Sequence, residues 1–405
     1  MKILVLDGNE NQAVACVRSL ARAGHVIRVG AQGNWSKAGW SRFSRDQFRY
    51  PAPQENADEF VRAIVREVRQ DSGALVLPMT EATTLSLSMH RSEIFEAGGK
   101  LELAPHATVL ETFDKLKTTE LARSLNIAVP QTVYVSNDSQ AEEISGTLRY
   151  PVVLKPRASQ EVSQTGAVAV TGRPTYARSA DEFRSAYAGL RARCTQALVQ
   201  EFVEGQGAGF FALMRNNELR AEFAHVRIRD VHPTGSGSAV RVSVQPAPKL
   251  RKAALDILRA LHWHGVAMVE FRVRADGTPV FIEVNGRFWN SLPLAIYSGV
   301  DFPKYLAEMA ELGDMVSSPP SFRPGVRCRW LLGDFRHLIE VLRGKPRGYP
   351  LHFPGRLETL FRFLLPVPGT YHDNFQWRDP LPELGDWLDF LLRRVPKELT
   401  KGPRG

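Results

Sequence analysis

The chain of 405 residues has few cysteines and no long apolar run. Its three cysteines, Cys16, Cys194 and Cys328, lie far apart and show no CxxC spacing. This distribution excludes a disulfide framework and a thiolate zinc site, and it predicts a reducing, cytoplasmic location. No apolar run reaches the roughly 18 residues of a membrane-spanning helix. The four-residue apolar stretch before Asp7 is also too short for a secretory signal core. We therefore expect neither a transmembrane segment nor a signal peptide.

Two common nucleotide-binding motifs are also missing. The turn after the first predicted strand reads DGNENQ, with one glycine where the dinucleotide fingerprint needs three. The phosphate-binding pattern GxxxxGK[ST] does not occur anywhere in the chain. These absences argue against a dinucleotide-dependent dehydrogenase and against a P-loop nucleotidase.

Positive charge is in excess and unevenly placed. The net charge is +9, and residues 321–405 hold 15 Lys and Arg against 9 Asp and Glu. A basic region of this kind has one of two roles. It makes a weak contact with an anionic surface or a protein partner, or its arginines simply lie on the solvent-exposed faces of helices. We favour the second interpretation. No zinc finger, recognition helix or aromatic-basic strand motif accompanies the charge, so we expect no nucleic-acid partner.

The first hundred residues alternate between short apolar runs and amphipathic segments. This alternation predicts a parallel sheet with helices on both faces. The predicted strands are 2–6, 26–30, 74–78 and 100–104, and the predicted helices are 11–24, 57–70 and 81–95.

Beyond residue 110 the pattern becomes that of an α+β region with antiparallel sheets. A helix is predicted at 112–126, followed by extended stretches and by helices near 180–193 and 249–262. Two further amphipathic helices are predicted at 330–343 and 382–395. The apolar face of the last helix, which includes Leu384 and Leu391, either packs onto its own domain or contacts a partner. The expected fold class is therefore α/β followed by α+β, with a helical C-terminal extension.

The stretch VAMVEFRVRADGTPVFIEVNGRF (266–288) predicts a β-hairpin, because two strand-like runs flank Asp276-Gly277. If these two residues form the loop, Ala275 faces Thr278 and Glu270 lies directly opposite Glu283. Like charges in this arrangement are destabilising unless something compensates for them.

Strand alternation places Phe281, Glu283, Asn285 and Arg287 on one face of this hairpin. Carboxylate and amide oxygens are the ligands that Mg²⁺ takes, together with substrate phosphates and water. The pattern therefore predicts a magnesium site, with Arg287 placed to hold a developing anion. The alternative is a solvated face on which Arg272 and Arg274 neutralise the glutamates.

Four motifs in order extend this interpretation: Lys115 in TFDKLKTTELARSLN, Lys155 in YPVVLKP, ALVQEFVEG, and the hairpin ending in ExNxR. At these residues the chain resembles the ATP-grasp superfamily over about residues 1–312. The resemblance implies a Rossmann-like domain (1–110), a small lid domain (111–200), a large domain with the metal site (201–320) and a basic extension (321–405).

The resemblance also implies a nucleotide site. Lys115 and Lys155 look like the two lysines that contact ATP phosphates, although Lys117 lies close enough to be confused with Lys115. In the segment VQEFVEG the Gln200 side chain or the Glu201 backbone would meet the adenine amino group. By the same resemblance Val203 would donate to the ring and Glu204 would bind the ribose.

For the metal site, the family pattern matches Glu270, Glu283 and Asn285 to Mg²⁺ ligands, with Mn²⁺ as an alternative ion. Arg287 matches the catalytic arginine, and Arg227 and Arg229 in AHVRIRD could reach the γ-phosphate or a carboxylate. The lid loop 157–166 departs from the family pattern, because Gly166 is its only glycine.

The function that the resemblance implies is ATP-dependent ligation of a small-molecule carboxylate to an amine through an acyl phosphate, with release of ADP and phosphate. One alternative is a carboxylase or kinase that phosphorylates bicarbonate or another acceptor. A second alternative is a non-catalytic nucleotide-binding scaffold. A homodimer is compatible with each of these.

Overall fold

The computed structural model describes residues 1–157, 160–162, 168–170, 175–192, 194, 196–318, 321–345, 349, 353–365 and 367–399. Within these ranges the chain folds around three main sheets. The predicted lid loop 157–166 falls largely outside the described residues, so its closure over phosphates stays a prediction.

The N-terminal sheet is parallel, as predicted. Its strands are β1 (Lys2–Val5), β2 (Val26–Ala31), β3 (Asp46–Arg49) and β4 (Leu75–Leu77). Their order across the sheet is β3-β2-β1-β4. The helices of this region are α1 (Asn11–Arg22), α2 (Ala57–Gln70), α3 (Glu81–Met89) and α4 (Arg91–Glu96). Apolar strand residues such as Ile3 and Leu4 are fully buried on opposite faces, which explains why these strands read as continuous apolar runs.

Two predictions for this region are wrong in detail. The helix predicted at 81–95 is two helices that meet at His90. Residues 100–104 form no strand, since only Lys100 pairs with the sheet, as an isolated bridge to Leu75. The carbonyls of Leu103 and Ala104 instead accept hydrogen bonds from the Arg91 side chain. β3 was not predicted, because Phe48 is its only buried residue.

A small antiparallel sheet follows, with the order β5-β10-β6-β9. Its strands are β5 (Thr132–Val135), β6 (Val152–Pro156), β9 (Thr175–Ala177) and β10 (Ala197–Glu201). The helices α7 (Asp138–Ser145) and α8 (Ala180–Arg191) belong to its core. A separate two-stranded hairpin is formed by β7 (Gln160–Val162) and β8 (Val168–Val170).

The large sheet has seven strands in the order β15-β14-β11-β12-β13-β16-β17. These are β11 (Gln206–Arg215), β12 (Glu218–Arg229), β13 (Val240–Ser243), β14 (Gly265–Val273), β15 (Pro279–Asn285), β16 (Arg327–Arg329) and β17 (Thr370–His372). The last two strands come from residues 321–405. The predicted helical extension is therefore also part of this sheet.

Helices surround the small sheet and the large sheet, which is antiparallel except for the parallel pair β16 and β17. They are α5 (His106–Phe113), α6 (Lys115–Ser124), α9 (Pro248–Ala260), α10 (Leu292–Ser298), α11 (Phe302–Leu312), α12 (Leu331–Arg343), α13 (Arg356–Leu364) and α14 (Leu381–Leu399). The helix predicted at 112–126 is interrupted, because Asp114 caps a new helix by accepting hydrogen bonds from the Leu116 and Lys117 amides. α13 was not predicted.

Buried ion pairs join the C-terminal extension to the rest of the molecule. Arg18 Nε lies 2.8 Å from Asp379 Oδ2, and Lys37 Nζ lies 2.7 Å from Asp386 Oδ1. Arg241 pairs with Asp373 on the large sheet. Asp373, Asp379 and Asp386 of the extension thus face inward, whereas several of its arginines, including Arg327 and Arg362, remain exposed.

The last helix, α14, buries a different face from the predicted one in its first three turns. Glu383 and Asp386 are buried, whereas Leu384 is 58% and Leu391 is 55% exposed. The reason is that Asp386 points toward Lys37 and Trp330, which both donate hydrogen bonds to its carboxylate. Among the helices of the described ranges, none is sufficiently long and apolar to cross a membrane.

Candidate active site

A cavity of about 340 Å³ lies between the small and the large antiparallel sheets. Eight of the eleven predicted site residues line it: Lys115, Lys155, Gln200, Glu201, Val203, Arg227, Glu270 and Glu283. Glu204, Asn285 and Arg287 do not line it. The cavity therefore gathers side chains from α6, both sheets and the segment after β10.

Lys115 is held at the cavity by the start of α6. Asp114 caps this helix and forms an ion pair with Arg157, whose Nη2 lies 2.5 Å from Asp114 Oδ2. The backbone amide of Lys115 also donates to the Arg157 carbonyl at 3.1 Å. These contacts fix Lys115 beside the end of β6, where Lys155 lies. Lys117 is exposed and does not line the cavity, so the structure favours Lys115 of the two lysines.

The two lysines and Glu283 form one electrostatic group. Lys115 Nζ lies 3.9 Å from Glu283 Oε2. Burial and the nearby Lys115 lower the pKa of Lys155 to about 8, although Glu283 and Glu270 act in the opposite direction. Burial works to raise the pKa of Glu283, but Lys115, Lys155 and a hydrogen bond from Asn285 hold it below its ordinary value. Lys155 is thus a cation that an additional anion would stabilise.

Glu270 and Glu283 face each other across β14 and β15, as the sequence predicted. The predicted two-residue loop is nevertheless wrong, because the Arg274 amide donates to the Thr278 carbonyl. Three residues therefore lie in the loop, and its last residue, Gly277, has a φ of +81°. A β-bulge at Ile282 then shifts the register by one residue and restores the pairing of the two glutamates.

The same bulge changes which side chains of β15 face the cavity. Ile282 lines the cavity beside Glu283, whereas Phe281 is fully buried in the core. The predicted alternation had placed Phe281 with Glu283 and Ile282 in the core, so that part of the prediction is wrong. A bulge places two consecutive residues opposite one partner, and simple alternation cannot represent this.

Arg227 compensates for the charge of Glu270. Its Nη2 lies 2.7 Å from Glu270 Oε1, and its Nη1 lies 3.7 Å from Asp230 Oδ1. Burial alone would lower the pKa of Arg227, but Glu270 and Asp230 raise it. The Arg227 side chain passes over Gly207 of β11, where an added Cβ would lie 3.0 Å from Arg227 Cδ. Glu270 lies opposite Gly209, two residues further along the same strand.

Asn285 and Arg287 lie next to the cavity and link it to the N-terminal region. Asn285 Nδ2 donates to Glu283 Oε1 at 3.1 Å, and its Oδ1 accepts from Arg287 Nη2 at 3.3 Å. The same Arg287 nitrogen lies 3.3 Å from Glu81 Oε1 at the start of α3. Arg287 therefore bridges the hairpin and the N-terminal region, and its catalytic role stays a prediction.

The segment after β10 forms another wall of the cavity. Gln200 is buried and its Nε2 donates to Thr132 Oγ1 at 3.0 Å. The Glu201 carboxylate is engaged by Arg274 and by the Gln131 amide, and the Glu201 amide donates to the Gln131 carbonyl at 2.8 Å. Val203 is buried, but Glu204 is exposed and lies off the cavity wall. The predicted contact of Glu204 with a ribose is thus not supported by its position and stays a prediction.

The cavity also contains residues outside the eleven predicted site residues. Tyr176, Arg272 and Tyr349 line it, and the loop 233–237 forms part of its wall. Tyr176 donates to the Thr234 carbonyl at 2.9 Å, and burial raises its pKa to about 12. The glycines of HPTGSGSAV were the available sequence signal for this loop. Tyr349 had no such signal, because it lies far along the chain in the basic extension.

The donor set of the cavity is suited to a hard divalent cation. Among the described residues, no group of three or more His, Cys, Asp and Glu side chains could hold a metal ion. Glu270 and Glu283 nevertheless offer two facing carboxylates, with the Asn285 amide beside them. One or two carboxylates are what a Mg²⁺ ion takes from a protein when phosphates and water complete its coordination.

Comparison with known proteins identifies the central part of the chain. Residues 112–291 match the family model of the ATP-grasp domain. The chain contains an ATP-grasp domain. All eleven predicted site residues lie within the matched range, and the resemblance stated from the motifs is thereby confirmed.

Curated relatives match the chain at low identity. A carbamoyl phosphate synthase large chain from Methanospirillum hungatei is 26% identical over 249 residues, which are 58% of this chain and 22% of the relative. A formate-dependent phosphoribosylglycinamide formyltransferase from Ignicoccus hospitalis is 24% identical over 55% of this chain and 56% of the relative. The vancomycin/teicoplanin A-type resistance protein VanA from Enterococcus faecium is 27% identical over 42% of this chain and 51% of the relative. The matches thus span between about a fifth and about half of these relatives.

Solved structures share the fold over 80% of the chain. An L-amino acid ligase from Bacillus licheniformis superposes with a TM-score of 0.61 and 17% identity, over 77% of that protein. The biotin carboxylase domain of the 2-oxoglutarate carboxylase from Hydrogenobacter thermophilus, solved with MgADP and bicarbonate, has a TM-score of 0.63 and 15% identity, over 73% of that chain. These neighbours confirm the predicted fold class of the ATP-grasp domain and its surroundings.

Proposed function

We propose that this protein is an ATP-dependent ligase that activates a carboxylate as an acyl phosphate and couples it to an amine. The observation that carries the proposal is the meeting of Lys115, Lys155 and the facing pair Glu270 and Glu283 in one cavity. Two cations for a polyphosphate and two carboxylates for a divalent cation are the groups that Mg-ATP chemistry requires.

ATP would bind with its phosphates at the lysine end of the cavity. Lys115 and Lys155 would neutralise the polyphosphate, and the lowered pKa of Lys155 would return toward its ordinary value as phosphate replaces the missing counter-charge. The adenine would lie against Gln200, the Glu201 backbone and Val203, which line the same cavity. We retain the predicted division into domains 1–110, 111–200, 201–320 and 321–405 as part of this proposal.

Glu270, Glu283 and the Asn285 amide would hold Mg²⁺, or Mn²⁺ in its place. Bound there, the ion would disperse charge on the phosphates during transfer. Arg227 pairs with Glu270, so this guanidinium would have to share that carboxylate with the ion or release it. A released Arg227 would be free to contact a phosphate or a substrate carboxylate.

The reaction would proceed in two steps. An oxygen of the substrate carboxylate attacks the γ-phosphorus, the bond to the β-phosphate oxygen breaks, and ADP leaves. The amine nitrogen then attacks the acyl carbon, loses a proton, and expels phosphate to give an amide. In this proposal Arg287, which contacts Asn285 and Glu81, would stabilise the anionic intermediate of the second step.

The proposal is tested by measuring ADP release. The assay uses a panel of carboxylic acids and amino acids, each with and without amines. The proposed ligase releases ADP only when acid and amine are both present, and mass spectrometry then detects a conjugate. ADP formation with bicarbonate alone would favour a carboxylase, and ADP formation with another single acceptor would favour a kinase. Either result would overturn ligation.

A matched pair of variants separates an enzyme from a non-catalytic scaffold. Glu283→Gln removes a facing carboxylate, whereas Glu120→Gln alters an exposed carboxylate on α6, away from the cavity. The proposal expects Glu283→Gln to abolish conjugate formation and Glu120→Gln to retain it. ATP binding without turnover of any acid–amine pair in the unmodified protein would favour the scaffold.

A further inference from the structure

A second cavity lies at the β13–β17 end of the large sheet. Its volume is about 290 Å³, and its described lining includes four arginines, Arg229, Arg327, Arg329 and Arg362. A single carboxylate, that of Asp334, is present among these lining residues. Apolar side chains complete the wall: Val240, Leu365, Val367 and Pro368. The cavity thus combines a large excess of guanidinium groups with an apolar surface.

Strand register places this cavity on the opposite face of the sheet from Arg227. A β-bulge at Ile228 separates the two arginines, so that Arg227 pairs with Arg241 and Arg229 pairs with Val240. Directly paired residues share a face and consecutive residues alternate, which puts Arg229 on the other face from Arg227. Arg329 pairs with Val240 in turn and lies on the same face as Arg229. The second cavity is therefore separate from the 340 Å³ cavity that contains Lys155 and Glu283, called the nucleotide cavity below.

The two deep arginines share one buried carboxylate. Arg229 Nη1 and Arg329 Nε each lie 2.6 Å from an oxygen of Asp334, whose side chain is completely buried. The side chains of Arg229 and Arg329 are only 14% and 13% exposed. Burial, together with Arg329 and Arg362, lowers the pKa of Arg229 despite the adjacent Asp334. Two guanidinium groups beside one carboxylate leave one positive charge uncompensated in a poorly solvated place.

The two remaining arginines stand at the exposed edge of the cavity. Arg362 is paired with Glu358 at 2.7 Å on the surface of α13, where such a pair contributes little. Arg327 is exposed and makes no ion pair with another residue of the described ranges. Guanidinium groups present paired N–H donors that match the geometry of phosphate and carboxylate oxygens.

From this geometry we infer that the Arg229–Arg329 cavity binds an oxyanion, either a phosphate or a carboxylate group, that carries a small apolar portion. The anion would lie between the deep and the edge arginines, and the apolar portion would contact Val240 and Leu365. Two sources share this chemistry: a free small anion, and the headgroup of an anionic lipid. Leu365 is 64% exposed and Val367 is 48% exposed, so the cavity wall continues onto an apolar surface.

Calorimetry with the full chain tests the inference in two arms. One arm uses inorganic pyrophosphate and citrate, and the other uses phosphatidylcholine vesicles with and without phosphatidic acid. The variant Arg327→Gln with Arg362→Gln removes both edge guanidiniums and leaves the buried Arg229–Asp334–Arg329 group intact. Arg259→Gln is the matched control, because Arg259 is an exposed arginine on α9 away from this cavity.

We expect the double variant to weaken binding at least tenfold in one arm, since a hydrogen bond between charged groups contributes roughly this much or more. Arg259→Gln should bind as the unmodified protein does. Lys155→Gln should also bind pyrophosphate at the arginine site, which distinguishes that site from the nucleotide cavity. Unchanged affinity in the double variant, or no binding in either arm, would overturn the inference. Thermal unfolding of each variant establishes that a loss of binding is not a loss of folding.

Discussion

Glu270 and Glu283 face each other on neighbouring strands, and a different cation compensates for each of them. Arg227 lies 2.7 Å from Glu270, and Lys115 lies 3.9 Å from Glu283. The two cations come from different elements, β12 and α6, so the carboxylate pair is stable only when both elements are in place. Four predictions follow from this arrangement and from the contacts around it.

The first prediction concerns the ion pair between Arg227 and Glu270. Arg227→Met leaves the Glu270 carboxylate without its closest cation in a largely buried position. We expect the free energy of unfolding to fall by about 3 kcal/mol, as for other broken buried pairs. Urea denaturation measures this change, and millimolar Mg²⁺ should restore part of the loss by binding the freed carboxylates. A variant as stable as the unmodified protein would contradict this account of the pair.

The second prediction concerns pH and Lys155. The pKa of this lysine is lowered from 10.5 to about 8 in the folded chain, so the unfolded chain binds more protons between these two values. Stability contributed by this group should therefore rise as the pH increases from about 8 to 10.5. Nucleotide affinity should change in the opposite sense, because phosphates favour the protonated lysine.

Calorimetric titration of ATP in buffers of different ionisation enthalpy measures the linked proton uptake. Near pH 8 we expect net uptake of protons on binding, and affinity should fall by up to about tenfold per pH unit above that value. In Lys155→Arg the uptake should disappear, since arginine remains protonated throughout this range. Identical proton uptake in the two proteins would assign the effect to another group.

The third prediction concerns Gly207, which allows Arg227 to cross β11. A Cβ at this position would lie 3.0 Å from Arg227 Cδ, so Gly207→Ala requires a small displacement and Gly207→Val a larger one. We expect ATP turnover to fall in that order, by at least tenfold for valine. Gly146→Ala is the control, because nothing lies within 4 Å of the added Cβ. Equal turnover in all of these proteins would show that the position of Arg227 is unimportant.

The fourth prediction concerns the buried contact between the N-terminal region and the extension. Asp379 accepts hydrogen bonds from Arg18, from the Ser41 hydroxyl and from the Arg42 amide. Asp379→Asn should lower the free energy of unfolding by about 3 kcal/mol, since Arg18 loses its buried counter-charge. Denaturant titration measures this change. Asp58→Asn, at the exposed start of α2, is the control and should lower the free energy of unfolding by about 1 kcal/mol or less. Similar losses in both variants would mean that the extension is not held by this pair.

Local sequence signals were sufficient where the determining contacts are close along the chain. The Asp276-Gly277 hairpin identified the pairing of Glu270 with Glu283, although the loop is one residue longer than predicted and the bulge at Ile282 restores the register. Lys155 was identified through the family resemblance, with support from the apolar run that directly precedes it. Both signals depend on residues fewer than about twenty positions apart.

Long-range contacts could not be read from the sequence. Arg18 and Asp379 are 361 residues apart, and no local pattern indicates that a buried arginine on α1 requires an acid from the extension. The same holds for Tyr349, which reaches the nucleotide cavity from residues 321–405. The faces of Arg227 and Arg229 were likewise not predictable, because a bulge at Ile228 inverts the alternation between them.

The most direct test of the central claim is anomalous diffraction from a crystal of this protein grown with Mn²⁺ and a non-hydrolysable ATP analogue. The account predicts an anomalous peak within coordination distance of carboxylate oxygens from both Glu270 and Glu283, with the analogue's phosphates as further ligands and near Lys155. A manganese peak and nucleotide density found together at any other place in the molecule would contradict it.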